Sequence, residues 1–346
     1  MNKILDFMYT IRSDRTKDMY ALYIKYFEQY SKLPLTKLLS MQPKKIEELL
    51  ISYVKQMRDN KLSASSIKGR ISPIISFCEL NDKVLNKRKI RKYFGNEDKK
   101  SMDQAYTTED IAKMLSVAKL RVKVMLLIYS STGIRRDAII DLKVRHLEEI
   151  PEYGLYKFTI YEGSKEQYIT YCTPECKAII DLYLKDRAST GETITKESWL
   201  IRNDYNYFLE DMSKNPKPIT SMNLNTLFRQ LLLKTGLRTH SNAKYARHEI
   251  PIFHGMRKRF SSVLVESNLK TELRWLLEGH NLKGNDASYV RTTEKSLLEE
   301  YSKGIDALTI SEEHRLRKKV KTLEVEKSIL DSIASRLQEL ERKASK

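Results

Sequence analysis

One stretch limits the architecture of this chain more than any other. In LYKFTIYEGSKEQYITYC, Leu155 to Cys172, Phe158 and Ile160 alternate with Lys157 and Thr159, and Ile169 and Tyr171 alternate with Tyr168 and Thr170. A period of two marks half-buried strands. The polar, glycine-containing EGSKEQ between them has the chemistry of a hairpin turn, with Lys165 at its tip. The other patterned segments space their apolar residues by three and four, which is helical. A single strand pair among helices makes the chain mainly α with a small β-hairpin or sheet, an α+β arrangement.

The helical pattern falls into blocks. In residues 1–95, Tyr20, Tyr23, Phe27 and Tyr30 share one face; so do Ile46, Leu49, Leu50, Tyr53 and Met57; so do Ile67, Ile71, Ile74 and Phe77. Pro73 predicts a kink or a helix start there. The backs of these helices and the run KRKIRK, Lys87 to Lys92, are basic, so this block reads as a small helical DNA-binding bundle. Residues 96–105 are polar and aperiodic and read as a linker. Thr107 and Asp110 form a capping-box pattern ahead of an apolar run, opening a second domain over 106–310. Its later helices are PECKAIIDLYLKDR, NLNTLFRQLLLKTG, with Gly236 as its C-terminal stop, and GMRKRFSSVLVESN. From 311 to 346 glycine and proline vanish, and Leu316, Leu323, Leu330 and Leu337 recur every seven residues. Val320 follows the first by four, while Ile333 and Leu340 follow the later ones by three, so the tail reads as a coiled coil or an amphipathic helix.

Charge narrows the partner. The net charge is +18, and residues 1–100 hold 22 Lys and Arg against 11 Asp and Glu, which places more than half of the excess in the first third. Such a field favours a polyanion, most simply nucleic acid. The apolar run Val124–Ile134 is too short to span a bilayer, and the N-terminus lacks the pattern of a signal peptide. Cys78, Cys172 and Cys176 build neither a disulfide framework nor a zinc site. These readings predict a cytoplasmic chain with reduced thiols and no membrane partner.

Several cationic and nucleophilic residues stand at element ends. Arg135 follows a Thr-Gly turn in SSTGIRRDAI; His254 and Arg257 lie three apart in FHGMRKRF; His280 and Tyr289 flank a polar stretch in GHNLKGNDASYVR. Taken singly, each has an ordinary alternative as a surface or packing residue. Together, TGIRRDAIIDL, GSK, HGMRKRF and GHNLKGNDASY, in that order, resemble the tyrosine recombinase, or phage integrase, family. The text around them is most similar to the archaeal branch carried by viruses, plasmids and integrated elements. The resemblance covers about residues 105–310; the N-terminal block matches the core-binding domain in position, helicity and charge.

The resemblance implies a site-specific recombinase that cleaves and rejoins double-stranded DNA as a homo-tetramer, through a Holliday junction, with no cofactor, divalent metal or ATP. It implies that Arg135 and Arg257 clamp the scissile phosphate. Lys165 protonates the 5′-oxygen, His254 assists proton transfer or orientation, His280 bonds the phosphate and Tyr289 forms a 3′-phosphotyrosyl link. Ala138 stands where many bacterial members carry Glu, and Glu278 precedes Gly279 where an apolar residue is common. Tyr301 lies in the same region, but its periodic helix predicts packing. The alternatives are a type IB topoisomerase-like relaxing enzyme with the same chemistry, and a non-catalytic DNA-binding protein that keeps the fold.

Overall fold

The computed structural model describes residues 3–95, 104–204, 216–239, 250–282 and 293–316, and scattered residues of the tail up to 333. The chain forms two compact units, residues 1–100 and 101–346.

The first unit is helical: α1 (Lys3–Tyr9), α2 (Asp14–Ser31), a 3-10 turn at Leu35–Ser40, α3 (Pro43–Asp59), α4 (Ala64–Leu80) and the short α5 (Lys87–Arg91). Pro43 starts α3, where a missing N–H costs nothing, and the Ser63 hydroxyl caps α4 by accepting from Ser66 N. Phe27, Ile46, Leu50, Ile67, Ile74 and Phe77 are fully buried, so all three predicted stripes contribute to the core. The predicted stripe of α2 is displaced: Ile24 and Phe27 are buried, while Tyr20, Tyr23 and Tyr30 line its shoulders. Pro73 lies in the interior of α4 rather than at its start. The basic α5 is tied to α3 through Glu47, whose carboxylate accepts from Asn86 N at 2.9 Å and Lys89 Nζ at 3.0 Å.

The second unit is built around one helix. It opens with α6 (Thr108–Val117), where Thr107 and Asp110 make the capping box in both directions. Then α7 (Leu120–Thr132) has every residue from Val124 to Thr132 buried. A helix apolar all round must be covered on all sides. The cover comes from α8 (Pro174–Ser189), α10 (Ile252–Glu266) and α12 (Glu294–Leu308), with α9 (Ser221–Lys234) and α11 (Thr271–Leu277) completing the unit. Gly236 follows α9 at φ +68°, the left-handed stop its position predicts.

The predicted hairpin is present, but it belongs to a three-stranded antiparallel sheet: β1 (Leu147–Ile150), β2 (Leu155–Ile160) and β3 (Tyr168–Tyr171). The strand LEEI is too short and too acidic to announce itself; what holds it is pairing, with Glu148 opposite Lys157 and their side chains 2.6 Å apart. Phe158 faces Thr170 and Ile160 faces Tyr168 in the register, so these four share one face of the sheet. Ile169 and Tyr171 therefore lie on the opposite face from Phe158 and Ile160. Both faces are covered: Thr170 is fully buried and donates to Thr132 O, and Tyr171 packs on Tyr301.

The core ends at Ile310. Buried Glu175, at the start of α8, accepts from Ile310 N at 2.8 Å and Ser311 N at 3.1 Å, which pins the chain leaving α12. Beyond it, Leu316, Val320, Leu323, Leu330 and Ile333 are all more than half exposed, and the described tail residues from 312 are helical. Leu337 and Leu340 lie outside the described residues. No helix among the described residues is long and apolar enough to cross a membrane.

Candidate active site

Two glycines organise the site. Gly133 closes α7 in the left-handed conformation, φ +61°, and a Cβ there would meet the Phe260 ring at 2.3 Å. Gly279 does the same for α11 at φ +67°, where a Cβ would meet the Tyr168 ring at 2.4 Å. Each position therefore requires glycine twice, for its backbone and for its neighbour. At α11 the termination is a full Schellman motif: Gly279 N donates to Leu276 O at 3.0 Å and His280 N to Trp275 O at 2.9 Å. That motif fixes where His280 stands relative to the helix end, which is the physical content of the Gly-His dipeptide.

The glycines aim carbonyls at two arginines. Arg257 Nη1 donates to Gly133 O at 2.6 Å, and its Nη2 donates to Glu278 O at 2.5 Å and lies 3.0 Å from His280 Nε2. Arg135 Nη2 donates to Gly279 O at 3.0 Å. Each arginine thus sits on the other's side of the cleft: Arg135, just after α7, reaches the end of α11, and Arg257, on α10, bridges the ends of both. The adjacent Arg136 behaves differently. It is paired with Asp137 through two bonds of 2.8 and 2.7 Å, so the two neighbouring arginines of TGIRRD divide into one neutralised and one not.

Among the described residues, only neutral acceptors bond to Arg135 and Arg257. Glu278, whose charge acts on Arg257, is buried and engaged elsewhere: Oε1 accepts from Arg274 Nη1 at 3.1 Å and Oε2 lies 3.2 Å from His280 Nε2. Burial lowers the pKa of Arg257 from its ordinary value, but a guanidinium starts so high that it stays charged. Burial, then the charges of Arg257 and Arg135, lower His280 as well, against an opposing pull from Glu278. Two guanidiniums presented on neutral carbonyls can take a tetrahedral anion with bidentate, charge-assisted bonds.

The other sequence-selected residues stand around this cluster. His254 is exposed on α10, one turn before Arg257. Lys165 is exposed in the loop between β2 and β3. That loop is held by Gly163 N donating to Gln167 Oε1 at 2.7 Å, and at its base by Glu162, which meets Arg145 at 2.9 Å and His146 Nε2 at 3.1 Å. Lys165 is three residues from Tyr168, whose ring packs on Gly279, and three residues span at most ~10 Å. Tyr289 lies outside the described residues. The structure thus brings Arg257 and His280 into contact, seats Arg135 on the carbonyl of the residue before His280, and leaves His254 one helical turn before Arg257 and Lys165 in the β2–β3 loop. Ala138 is buried beneath Arg135, and Tyr301 is fully buried, its hydroxyl donating to Ser131 O at 2.8 Å.

Sequence reasoning missed Tyr168. Its ring backs Gly279, and its hydroxyl is buried beside Arg257 with no hydrogen bond among the described residues; burial pushes its pKa up to about 12. The only signal was its place in the strand alternation, opposite Ile160. It singled out Glu278 as a departure but missed its i,i+4 pairing with Arg274 and its contact with His280. Among the described residues no group of three His, Cys, Asp or Glu is placed to hold a metal ion.

The architecture has close counterparts among solved structures. The Tn1549 transposon integrase in complex with transposon right end DNA aligns at a TM-score of 0.56 and 15% identity, over 87% of this chain and 99% of that one. The XerH site-specific recombinase bound to its difH substrate aligns at 0.53 and 16%, over 82% and 78%, and a lambda integrase dimer bound to a core site at 0.53 and 15%, over 84% and 97%. The fold is that of the tyrosine recombinases. No family model matches the chain, and no characterised protein matches it by sequence. Within the recombinase fold, the Arg135–Arg257–His280 cluster lies where the ends of α7 and α11 meet β3.

Proposed function

We propose that this chain is a site-specific DNA recombinase, or integrase, that breaks and rejoins double-stranded DNA through a 3′-phosphotyrosyl intermediate on Tyr289. The observation that carries the reading is the pair Arg135 and Arg257, which among the described residues is held on neutral carbonyls. The fold supports it, since the neighbours named above are complexes with DNA. So does the basic excess of residues 1–100.

The chemistry follows from the residue types. The Tyr289 phenol oxygen attacks phosphorus as the bond to the 5′-oxygen breaks. Extra negative charge develops on the non-bridging oxygens, and Arg135 and Arg257 meet it with preorganised donors, each worth ~10²–10³ in rate. Lys165, at the tip of the β2–β3 loop, gives its proton to the leaving 5′-oxygen; His254 assists the proton transfer from the phenol, and His280 bonds a phosphate oxygen. The aryl ester retains the energy of the broken bond, so rejoining to a second strand needs no ATP. Residues 1–95 would hold the duplex, 106–310 carry the reaction, and the exposed stripe of 311–346 contact a neighbouring protomer in a tetramer that resolves a Holliday junction. We place the protein in the cytoplasm on its DNA, encoded by an archaeal virus, plasmid or integrated element.

A nicked suicide duplex carrying the element's attachment site tests the reading. The wild type is expected to yield a covalent protein–DNA adduct, and Tyr289→Phe none. No adduct on any such duplex would leave a DNA-binding protein without this chemistry. Exchange between two sites, set against relaxation of one supercoiled circle, separates a recombinase from a topoisomerase.

A further inference from the structure

Glu278 is out of place in a site that recruits an anion. It is buried, and its charge opposes that of any incoming phosphate. Yet its Oε2 lies 3.2 Å from His280 Nε2, and the same nitrogen lies 3.0 Å from Arg257 Nη2. An arginine nitrogen only donates and a carboxylate oxygen only accepts. If Nε2 carries a lone pair, it serves Arg257 and opposes Glu278. If it carries a proton, it serves Glu278 and opposes Arg257. One proton decides which partner the ring has. Among the described residues, the charged and titratable groups around the ring are Arg257 from α10, Arg135 after α7, Glu278 from its own turn with Arg274 behind it, and Tyr168 of β3 packed on the preceding glycine.

We propose that Glu278 is a positioning residue for His280: once an anion draws Arg257 away from the ring, Glu278 holds a proton on Nε2 and favours the doubly protonated ring, whose other nitrogen then donates to the phosphate. The inference rests on reading the cluster as the phosphate site. The free protein is in the opposed arrangement, with Arg257 and Glu278 contending for Nε2. Phosphate binding removes the contention by giving Arg257 a better acceptor. The carboxylate then stabilises an imidazolium, as a buried acid does behind a catalytic histidine. Arg274 keeps the carboxylate oriented through Oε1 and is itself held by the Ser261 hydroxyl.

The test is a pH titration of the imidazole signals by NMR, in the full chain without DNA, with the His280 resonance identified by its loss in His280→Gln. In Glu278→Gln, which keeps size and shape, the midpoint of His280 is expected to fall by about one pH unit or more. Glu278→Asp, which keeps the charge, is expected to recover most of the difference. On the suicide duplex, the alkaline limb of the single-turnover adduct profile should move to lower pH by the same amount, about tenfold in rate per unit above both midpoints. An unchanged His280 midpoint in Glu278→Gln overturns the proposal and leaves Glu278 as a structural partner of Arg274. So does an adduct profile that superimposes on the wild type. If the wild type forms no adduct, the recombinase reading fails, and the imidazole titration still decides whether the pair exists.

Discussion

Two pairs of arginines in the second unit are treated in opposite ways: Arg187 and Arg202, and the half-buried Arg135 with the buried Arg257. Arg187 and Arg202 are almost wholly buried and converge on Glu192: Arg187 through Nε at 3.0 Å and through Nη2, Arg202 through Nη1 at 2.6 Å. Arg187 Nη1 also caps two carbonyls, Trp199 O and Leu200 O. Among the described residues, Arg135 and Arg257 are held by carbonyls and a histidine. The first set carries its counterion inside the fold. The second keeps its charge available. Arg187 and Arg202 are tied into the scaffold by their own carboxylate; Arg135 and Arg257 keep donors that, under the proposed function, an anion would take.

Breaking the scaffold set should show the largest effect, and it should show it in stability. Glu192→Ala leaves two buried guanidiniums without their anion, which is expected to cost about 3–5 kcal/mol in denaturant unfolding. Burial pushes the Glu192 pKa up, but the bonds from Arg187 and Arg202 outweigh it, so the carboxyl titrates below its ordinary range. A lowered folded pKa gives stability that is fully present above the unfolded value, about 4.3, and is lost as pH falls through the folded one. Glu192→Gln should therefore flatten the acid limb of the stability profile below about pH 4. Adduct formation by the folded fraction should remain that of the wild type.

Breaking the site set should invert the pattern. Arg257→Ala is expected to slow covalent adduct formation by about 10²–10³, roughly 3–4 kcal/mol, while DNA affinity at fixed salt, read by fluorescence anisotropy, changes by less than about tenfold, the scale of a single phosphate contact. A loss of binding as large as the loss of cleavage would reassign Arg257 to holding the duplex.

The sequence discloses these two sets unequally. Arg135, Arg257 and His280 read singly as ordinary surface or packing residues and are legible together only because TGIRRDAIIDL, HGMRKRF and GHNLKGNDASY in that order resemble a known family. The Schellman motif that places His280 after Gly279 is seen in the structure. The helix stripes, the Thr107 capping box and the hairpin are local patterns. What sequence does not carry is pairing across the fold. Strand β1 exists only because Glu148 and Glu149 find Lys157 and Lys177. Glu192 meets Arg187 five residues before it and Arg202 ten after it, spacings that no regular element marks, and the i,i+4 spacing of Arg274 and Glu278 does not disclose that Glu278 also meets His280. That Arg136 rather than Arg135 is ion-paired among the described residues depends on Asp137 turning back one residue.

The smallest expected effect sharpens the comparison for the tyrosines. Tyr301 is 0% exposed, stacked near Tyr171, and its hydroxyl donates to Ser131 O at 2.8 Å. Burial holds its phenol well above the ordinary range, so it neither ionises nor meets DNA while the unit is folded. Its position matters indirectly, because Ser131 lies two residues before Gly133, whose carbonyl holds Arg257. Tyr301→Phe removes one neutral hydrogen bond and is expected to lower unfolding stability by about 1 kcal/mol. The adduct should still form at close to the wild-type rate, because the helix end is also fixed by Gly133 N donating to Tyr129 O at 3.1 Å and by Thr170 donating to Thr132 O. Loss of the adduct in Tyr301→Phe, with the fold intact by thermal unfolding, would show that the end of α7 tolerates no slack and that the Arg257 carbonyl is set by this one phenol.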